Sequence, residues 1–107
     1  MKNLSVLEEI ILTAVLRLGN DAYGVTVRQK AEEVTGKDIL YGTLYNTLDQ
    51  LVRKGLLSKT QGRPTAERGG RSKMYYHVTS DGLRSLREAR ALHIQIWEGL
   101  PKLSTGE

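Results

Sequence analysis

Residues 41–57 combine a helical pattern with an abrupt stop, and they restrict the possible folds more than any other part of the chain. Apolar residues recur there at the spacing of one helix face: Leu44, Leu48, Leu51 and Val52. This pattern predicts a helix from about Gly42 or Thr43 to Lys54, which Gly55 ends. Two strand patterns follow, at residues 56–60 and 74–78. The order predicts a short helix followed by a β-hairpin.

The segment that joins the two strands, residues 61–72, holds turn-forming residues and almost nothing that could pack. Residues 74–78 alternate as a half-buried strand requires, with Met74, Tyr76 and Val78 on one side. The loop and its end carry four cations that are candidates for phosphate contact: Arg63, Arg68, Arg71 and Lys73. We call this predicted basic hairpin tip the wing. Long arginines on a wing can follow a DNA backbone or enter a narrow minor groove, and an inert connector is the alternative.

Positive charge is concentrated near the wing. The chain carries a net charge of +4, yet the segment from Arg53 to Lys73 has seven basic residues against Glu67 alone, which gives it +6 and leaves −2 for the rest. Cations gathered on one loop and one helix end are the electrostatic footprint expected of a phosphate-binding surface. A merely solvated cationic face is the alternative.

Length and composition narrow the class of protein. A chain of 107 residues fits one domain, and 39% hydrophobic with 26% charged residues is typical of a soluble globule. No apolar run reaches the roughly 18 residues of a membrane span, and there is no cysteine, so we expect a cytoplasmic protein. The histidines are His77 and His93, too few for a metal site or a catalytic centre. We expect no enzyme activity, no metal and no cofactor.

The N-terminal part of the chain predicts two helices. Ser5 and Glu8 form a capping-box pattern, Gly19 ends the helix, and one stripe predicts its core face: Leu7, Ile11, Val15 and Leu18. A second apolar flank of Val6, Ile10 and Ala14 predicts either a surface for a partner helix or a wide internal stripe. The second helix is predicted from about Ala22 to Val34, capped by Asn20-Asp21. Its inward residues are predicted to be Val25, Ala31 and Val34, and its solvated ones Arg28, Lys30, Glu32 and Glu33.

The second helix and the helix that starts at about residue 42 form a predicted helix-turn-helix. The outer face of the later helix carries short polar side chains: Thr43, Asn46, Thr47 and Gln50. Such side chains suit base edges in the major groove, where asparagine and glutamine pair with adenine. Asp49 either accepts from a cytosine amine or only screens the arginines. Tyr23 either places its hydroxyl against a phosphate or closes the edge of the core.

The last predicted helix runs from about Ser80 to Leu100, with Thr79 as its cap. Its apolar band is longer than a small core can cover: Leu83, Leu86, Ala89, Leu92, His93, Ile96, Trp97 and Leu100. We therefore expect a twofold homodimer interface built from the band after Leu83, together with Val6 and Ile10. Trp97 and His93 either line a slot for a flat aromatic effector or anchor the interface. The predicted divisions are a winged domain over residues 1–79, a dimerisation helix over 80–100 and a tail over 101–107.

The order of elements and several motifs resemble the PadR family of bacterial transcriptional regulators. The motifs are Tyr23-Gly24, Gly42-Thr43-Leu44-Tyr45, Leu48-Asp49-Gln50-Leu51, Lys54-Gly55-Leu56 and the run from Tyr75 to Gly82. The resemblance covers nearly the whole chain. The length of the chain is that of the short branch of the family, whose members have one C-terminal helix. It implies a mainly α fold with a small hairpin, a winged helix-turn-helix, and a dimeric repressor that a small molecule or other signal releases from a pseudo-palindromic operator. It also implies a bacterial protein associated with the nucleoid.

The resemblance also assigns DNA contacts by position. With the residues chosen above, the predicted DNA-binding set is Tyr23, Tyr41, Thr43, Tyr45, Asn46, Thr47, Gln50, Arg63, Arg68, Arg71 and Lys73. The chain departs from the family pattern at Asn46, where proline is common, and at Asp49-Gln50, where a basic pair is common. These departures move the expected phosphate contacts from the helix to the wing. A winged helix that binds a protein instead of DNA is the rival hypothesis, and RNA is disfavoured because its major groove is too narrow.

Overall fold

The computed structural model describes residues 3–62 and 73–101. Within them the chain forms four α-helices and one hairpin, in the order α1 (Val6–Leu18), α2 (Gly24–Thr35), α3 (Tyr41–Arg53), β1 (Leu57–Gln61), β2 (Met74–Val78) and α4 (Ser80–Trp97). A short 3₁₀ turn, Gly19–Asp21, joins α1 to α2. The predicted class, mainly helical with a small antiparallel hairpin, is confirmed.

The capping box at the start of α1 is confirmed. The Ser5 amide donates to Glu8 Oε1 at 2.9 Å, and the Glu8 amide donates to Ser5 Oγ at 3.1 Å. Glu8 is also buried and accepts a hydrogen bond from Lys54 Nζ, which ties the start of α1 to the end of α3. Burial alone raises the pKa of the Glu8 carboxyl, but the bonds from Lys54 and Ser5 outweigh it, and the pKa lies below its ordinary value.

The core lies between α1, α2, α3 and the hairpin. Its completely buried side chains include Ile11, Leu12, Val15, Val27, Leu44, Leu48, Leu51 and Leu57. The stripe predicted for α3 is confirmed, because Leu44, Leu48 and Leu51 have no exposed surface. Ala14, one of the residues predicted on the second flank of α1, is only 2% exposed and belongs to this core.

The inward face predicted for α2 is wrong at two positions. Val25 and Val34 are 40% and 54% exposed, whereas Val27 and Ala31 are buried. Val27 and Ala31 are four residues apart and therefore lie on one face, while Val25 is about 200° around the helix from Val27. Val34 lines the open edge of the groove between α1 and α2.

The chain just before α2 is extended, which places the start of α2 at Gly24 instead of Ala22. The Ala22 carbonyl accepts the Tyr76 amide at 2.8 Å, and Tyr23 forms a bridge with Tyr75. These two residues thus run along the outer edge of β2. Asn20 and Asp21, predicted as the cap, instead form part of the 3₁₀ turn.

The hairpin follows from Gly55, whose φ of +76° provides the left-handed turn after α3. Leu57 pairs with Val78 and Gln61 with Met74, in antiparallel register, and β1 begins one residue later than predicted. The Gly62 amide donates to the Lys73 carbonyl at 2.7 Å and closes the stem of the wing. The wing residues Arg63, Arg68 and Arg71 lie outside the described residues.

Thr79 caps α4 as predicted, since its Oγ1 accepts the Gly82 amide at 3.0 Å. The helix ends at Trp97 and not at Leu100, because Glu98 leaves the helical conformation and Gly99 has a φ of +79°. Every residue from 91 to 101 is exposed in the single chain. None of the helices in the described ranges is long and apolar enough to cross a membrane.

Candidate nucleic-acid interface

The outward side of α3 carries three of the four polar residues that the sequence assigned to it. Thr43, Asn46 and Gln50 are exposed, at intervals of three and four residues, and so lie on one face. The fourth assignment is wrong: Thr47 is only 6% exposed, and its Oγ1 donates to the Thr43 carbonyl at 2.8 Å. Thr47 is thus buried beside Leu44 and Leu48, and the proton of its hydroxyl is used within the helix.

Two tyrosines lie at the start of α3. The rings of Tyr41 and Tyr45 stack with centroids 6.3 Å apart, and each residue is 43% exposed. The guanidinium of Arg28, on α2, lies 4.3 Å from the Tyr41 ring centroid. On the other side, the Tyr45 hydroxyl lies so close to Gly24 that a Cβ there would be 1.9 Å from it. A side chain at position 24 would therefore displace the Tyr45 ring from this contact.

The stem of the wing meets the start of α2 at Tyr23. The Lys73 ammonium lies 4.2 Å from the centroid of the Tyr23 ring, and the Tyr75 ring packs edge-on against Tyr23 at 5.6 Å. Tyr75 in turn covers Gly62, where a Cβ would be 2.6 Å from the ring. Aromatic faces carry negative charge that attracts an ammonium group, so Lys73 is held at this junction while remaining exposed.

These contacts connect α3 to the wing without interruption. Tyr45 of α3 lies on Gly24, the neighbouring Tyr23 contacts Lys73, and Lys73 precedes β2. The structure therefore brings four of the eight described members of the predicted set to one region, around the first turn of α2: Tyr23, Tyr41, Tyr45 and Lys73. The sequence analysis missed Arg28 and Tyr75 in this region. Helical spacing gave no signal for Arg28, which it assigned to a solvated face.

Asp49 lies on the side of α3 near the hairpin. Burial raises the pKa of Tyr76, and the charge of Asp49 and then the neighbouring Tyr45 raise it further. The Asp49 carboxylate thus acts on a strand of its own chain, although its residue is exposed. It also reduces the positive potential of α3.

The residues assigned to dimerisation differ in exposure. Ile10 and Leu86 pack partly against the core of their own chain, and Ala89 is half-buried. The other apolar residues of the set are exposed, on α1 and towards the C-terminal end of the described chain, and the most exposed are Val6 at 73%, Trp97 at 59% and Ile96 at 57%. Ile94, which the predicted band omitted, is 56% exposed.

His93 forms a contact with its own chain. Its Nε2 lies 2.9 Å from Glu9 Oε1, which connects α4 to α1. Within residues 3–62 and 73–101, no three His, Asp or Glu side chains are grouped to hold a metal ion.

The helix-turn-helix followed by a two-stranded hairpin defines this protein as a winged helix. A winged-helix DNA-binding protein from STIV has the same fold, with a TM-score of 0.70 at 19% identity over 94% of this chain and all of that one.

The transcriptional regulator PadR-like family model matches residues 11–88, and the chain belongs to that family. A PadR-like transcription factor from Bacteroides fragilis is 30% identical, with a TM-score of 0.67, over 84% of this chain and 82% of that one. A PadR-like transcriptional regulator from Bacillus cereus is 25% identical, with a TM-score of 0.67, over 85% and 84%. No curated protein matches the sequence. The family resemblance inferred from the motifs is thus confirmed.

Proposed function

We propose that this protein is a homodimeric, sequence-specific DNA-binding transcriptional regulator that acts as a repressor. The observation that carries the proposal is the exposed row of Thr43, Asn46 and Gln50 on α3, joined through Tyr45 and Gly24 to the basic stem of the wing. A reading helix and a basic hairpin on one continuous surface can contact the same duplex.

In this proposal α3 enters the major groove, which is wide enough for a helix. Asn46 and Gln50 are one helical turn apart, so they reach neighbouring base pairs, and each can pair with adenine through two hydrogen bonds. Thr43 offers a hydroxyl and a methyl group one turn earlier. These short side chains supply the sequence preference.

Phosphate contacts come from the region around the start of α2 and from the wing. Lys73 is exposed beside Tyr23, and the exposed Tyr41 and Tyr45 offer hydroxyl groups that can donate to phosphate oxygens. The predicted contacts of Arg63, Arg68 and Arg71 belong to the same part of the proposal. Because α3 carries Asp49, and Lys54 after its end bonds to Glu8, most of the attraction for the DNA backbone comes from the wing side.

Dimerisation supplies the second reading helix. The exposed apolar end of α4 is a surface that a second copy would cover, and Val6 on α1 extends it. A twofold dimer with one α3 in each half-site places the half-sites about 34–36 Å apart. Sedimentation equilibrium tests this part: a single species of monomer mass at micromolar concentration would contradict it, and Ile96→Lys is expected to weaken the dimer.

Release by an effector is the remaining part of the proposal. Two copies of Trp97 brought together across a twofold axis form the walls of a slot for a flat aromatic molecule, with His93 at its edge. Titration of planar cationic and phenolic compounds should quench the fluorescence of the single tryptophan. No quenching by either class would leave Trp97 as an interface anchor only.

The decisive experiment is selection of DNA fragments from the source genome by the purified protein, followed by gel-shift titration. A pseudo-palindromic motif is expected. Asn46→Ala should change which sequences bind, whereas Arg71→Ala should weaken selected and random DNA alike. If the protein selects no motif, or if both variants act equally on both DNAs, the proposed reading roles are wrong.

A further inference from the structure

The connection between α2 and α3 is held by two side chains of α2. The connection runs from Gly36 to Leu40, and Ile39 within it is 7% exposed. Neither the amide nor the carbonyl of Ile39 bonds to a neighbouring helix backbone. Glu32 Oε2 accepts the Ile39 amide at 2.7 Å, and Arg28 Nε donates to the Ile39 carbonyl at 2.6 Å. Both buried backbone groups of Ile39 are therefore satisfied by side chains.

The two side chains also support each other. Arg28 and Glu32 are four residues apart on α2, and their closest charged atoms are 3.5 Å apart. Their side chains are only 29% and 25% exposed, against 70% for Glu33 in the neighbouring pair with Lys30. The Arg28 guanidinium in addition lies over the ring of Tyr41, the first residue of α3, at 4.3 Å from its centroid. The helical pattern alone assigned both residues to the solvated face.

The start of α3 depends on this arrangement because it has no side-chain cap. Leu40 precedes the helix, and its apolar side chain cannot accept a hydrogen bond from an amide of the first turn. The backbone of Ile39 is thus the last point before α3 at which another element holds the chain by polar contacts. A shift at Ile39 moves Tyr41, Thr43 and the rest of the exposed face relative to α2 and the wing.

We propose that Arg28 and Glu32 are positioning residues for DNA reading: they clamp Ile39 and so set where α3 begins, and they do not bind phosphate. This inference rests on the proposed function. Arg28 is neutralised by Glu32, and one of its donors is already used by the Ile39 carbonyl. Replacing Arg28 should therefore lower the affinity for the selected site, because α3 fits the bases less accurately. Affinity for random DNA should stay unchanged.

The matched control is the ion pair of Lys30 and Glu33, which lies on the same helix at 2.9 Å and makes no contact with the connection. Arg28→Ala and Lys30→Ala remove the same charge, and so do Glu32→Ala and Glu33→Ala. Arg28→Lys keeps the charge but lacks the planar fork that both contacts Ile39 and stacks on Tyr41.

Affinity for the selected site and for random DNA is measured across a salt series, with thermal unfolding as a check that each variant is folded. We expect Arg28→Ala, Arg28→Lys and Glu32→Ala to weaken binding to the selected site about tenfold, the loss typical of one misread base pair. Affinity for random DNA and its salt dependence should stay at wild-type values in these variants. The two control variants should bind both DNAs as the wild-type protein does. Equal losses on both DNAs, or a slope of log affinity against log salt that falls by about 0.9 in Arg28→Ala, would make Arg28 a phosphate ligand and overturn the proposal.

Amide hydrogen exchange tests the clamp without DNA. Glu32→Ala should speed exchange at the Ile39 amide about tenfold or more, since a charged acceptor is lost, and Glu33→Ala should not. An unchanged Ile39 amide in Glu32→Ala would show that the clamp does not hold the connection. If the wild-type protein prefers no DNA sequence, the proposed function fails and the reading role fails with it, while exchange at Ile39 still decides whether the clamp exists.

Discussion

A side chain at Gly82 would collide with the backbone, and replacing this glycine by alanine gives a sharp stability test. A Cβ at this position would lie 2.3 Å from the Leu56 carbonyl oxygen and 2.8 Å from Val78 Cγ1. The first of these atoms belongs to the backbone and cannot rotate away. The first turn of α4 must therefore move away from the end of α3 and the hairpin.

The movement also disturbs the hydrogen bonds that begin α4. The Gly82 amide donates to Thr79 Oγ1, Thr79 Oγ1 donates to the Gly55 carbonyl at 2.7 Å, and the Thr79 amide donates to the Leu56 carbonyl at 3.1 Å. Overpacking costs about 1–3 kcal/mol, and loss of a helix cap costs about 1 kcal/mol. We expect Gly82→Ala to lower the free energy of unfolding by about 2–3 kcal/mol, which is a fall in Tm of roughly 10 °C or more for a chain of this size.

Gly42→Ala is the matched control. Gly42 also lies in the first turn of a helix, but a Cβ there would have no neighbour within 4 Å. Alanine should therefore stabilise the protein by about 0.4–1 kcal/mol through the unfolded chain. Urea unfolding of both variants at one fixed protein concentration separates the two effects. If Gly82→Ala is as stable as Gly42→Ala, the close approach of α4 to Leu56 does not exist in solution.

Three further outcomes follow from the described contacts. The pKa of Glu8 is lowered in the folded state, so its contribution to stability is fully present above pH 4.5 and is lost as the pH falls through the folded-state pKa. Glu8→Gln should therefore flatten the acid side of a plot of unfolding free energy against pH. An unchanged slope would contradict this. Thr47→Val should leave the DNA sequence preference unchanged, because the Thr47 hydroxyl bonds only within α3. A changed motif in DNA selection would show that Thr47 contacts bases. Lys73→Gln should reduce the slope of log affinity against log salt by about 0.9 for each half-site, and an unchanged slope in gel-shift titrations would remove Lys73 from the phosphate contacts.

The elements of this protein could be predicted because each has a local signal. The Ser5 and Glu8 capping box, the Leu44 to Leu51 stripe and the Gly55 stop all depend on residues within a few positions of one another. The failed prediction for the start of α2, in contrast, concerns a long-range contact. Ala22 was assigned to a helix because nothing nearby in the chain reveals that its carbonyl bonds to Tyr76.

The candidate interface shows the same division. The polar row of Thr43, Asn46 and Gln50 is visible in the sequence because it is the complement of the apolar stripe. Thr47 was misplaced because helical spacing alone does not give the width of the buried face. Arg28 was missed because its roles depend on Ile39, eleven residues away, and on the ring of Tyr41.

By itself the sequence determined the order of helices and strands, the motifs of the PadR-like family and the concentration of positive charge near the hairpin. Only the tertiary structure decided which side chains share a surface: that Tyr45 covers Gly24, that Lys73 lies on Tyr23, and that Arg28 and Glu32 hold the turn before α3. The physical reason is that helix and turn preferences act over neighbouring residues, whereas the position of a side chain in a binding surface depends on backbone and ring atoms that distant parts of the chain bring to it.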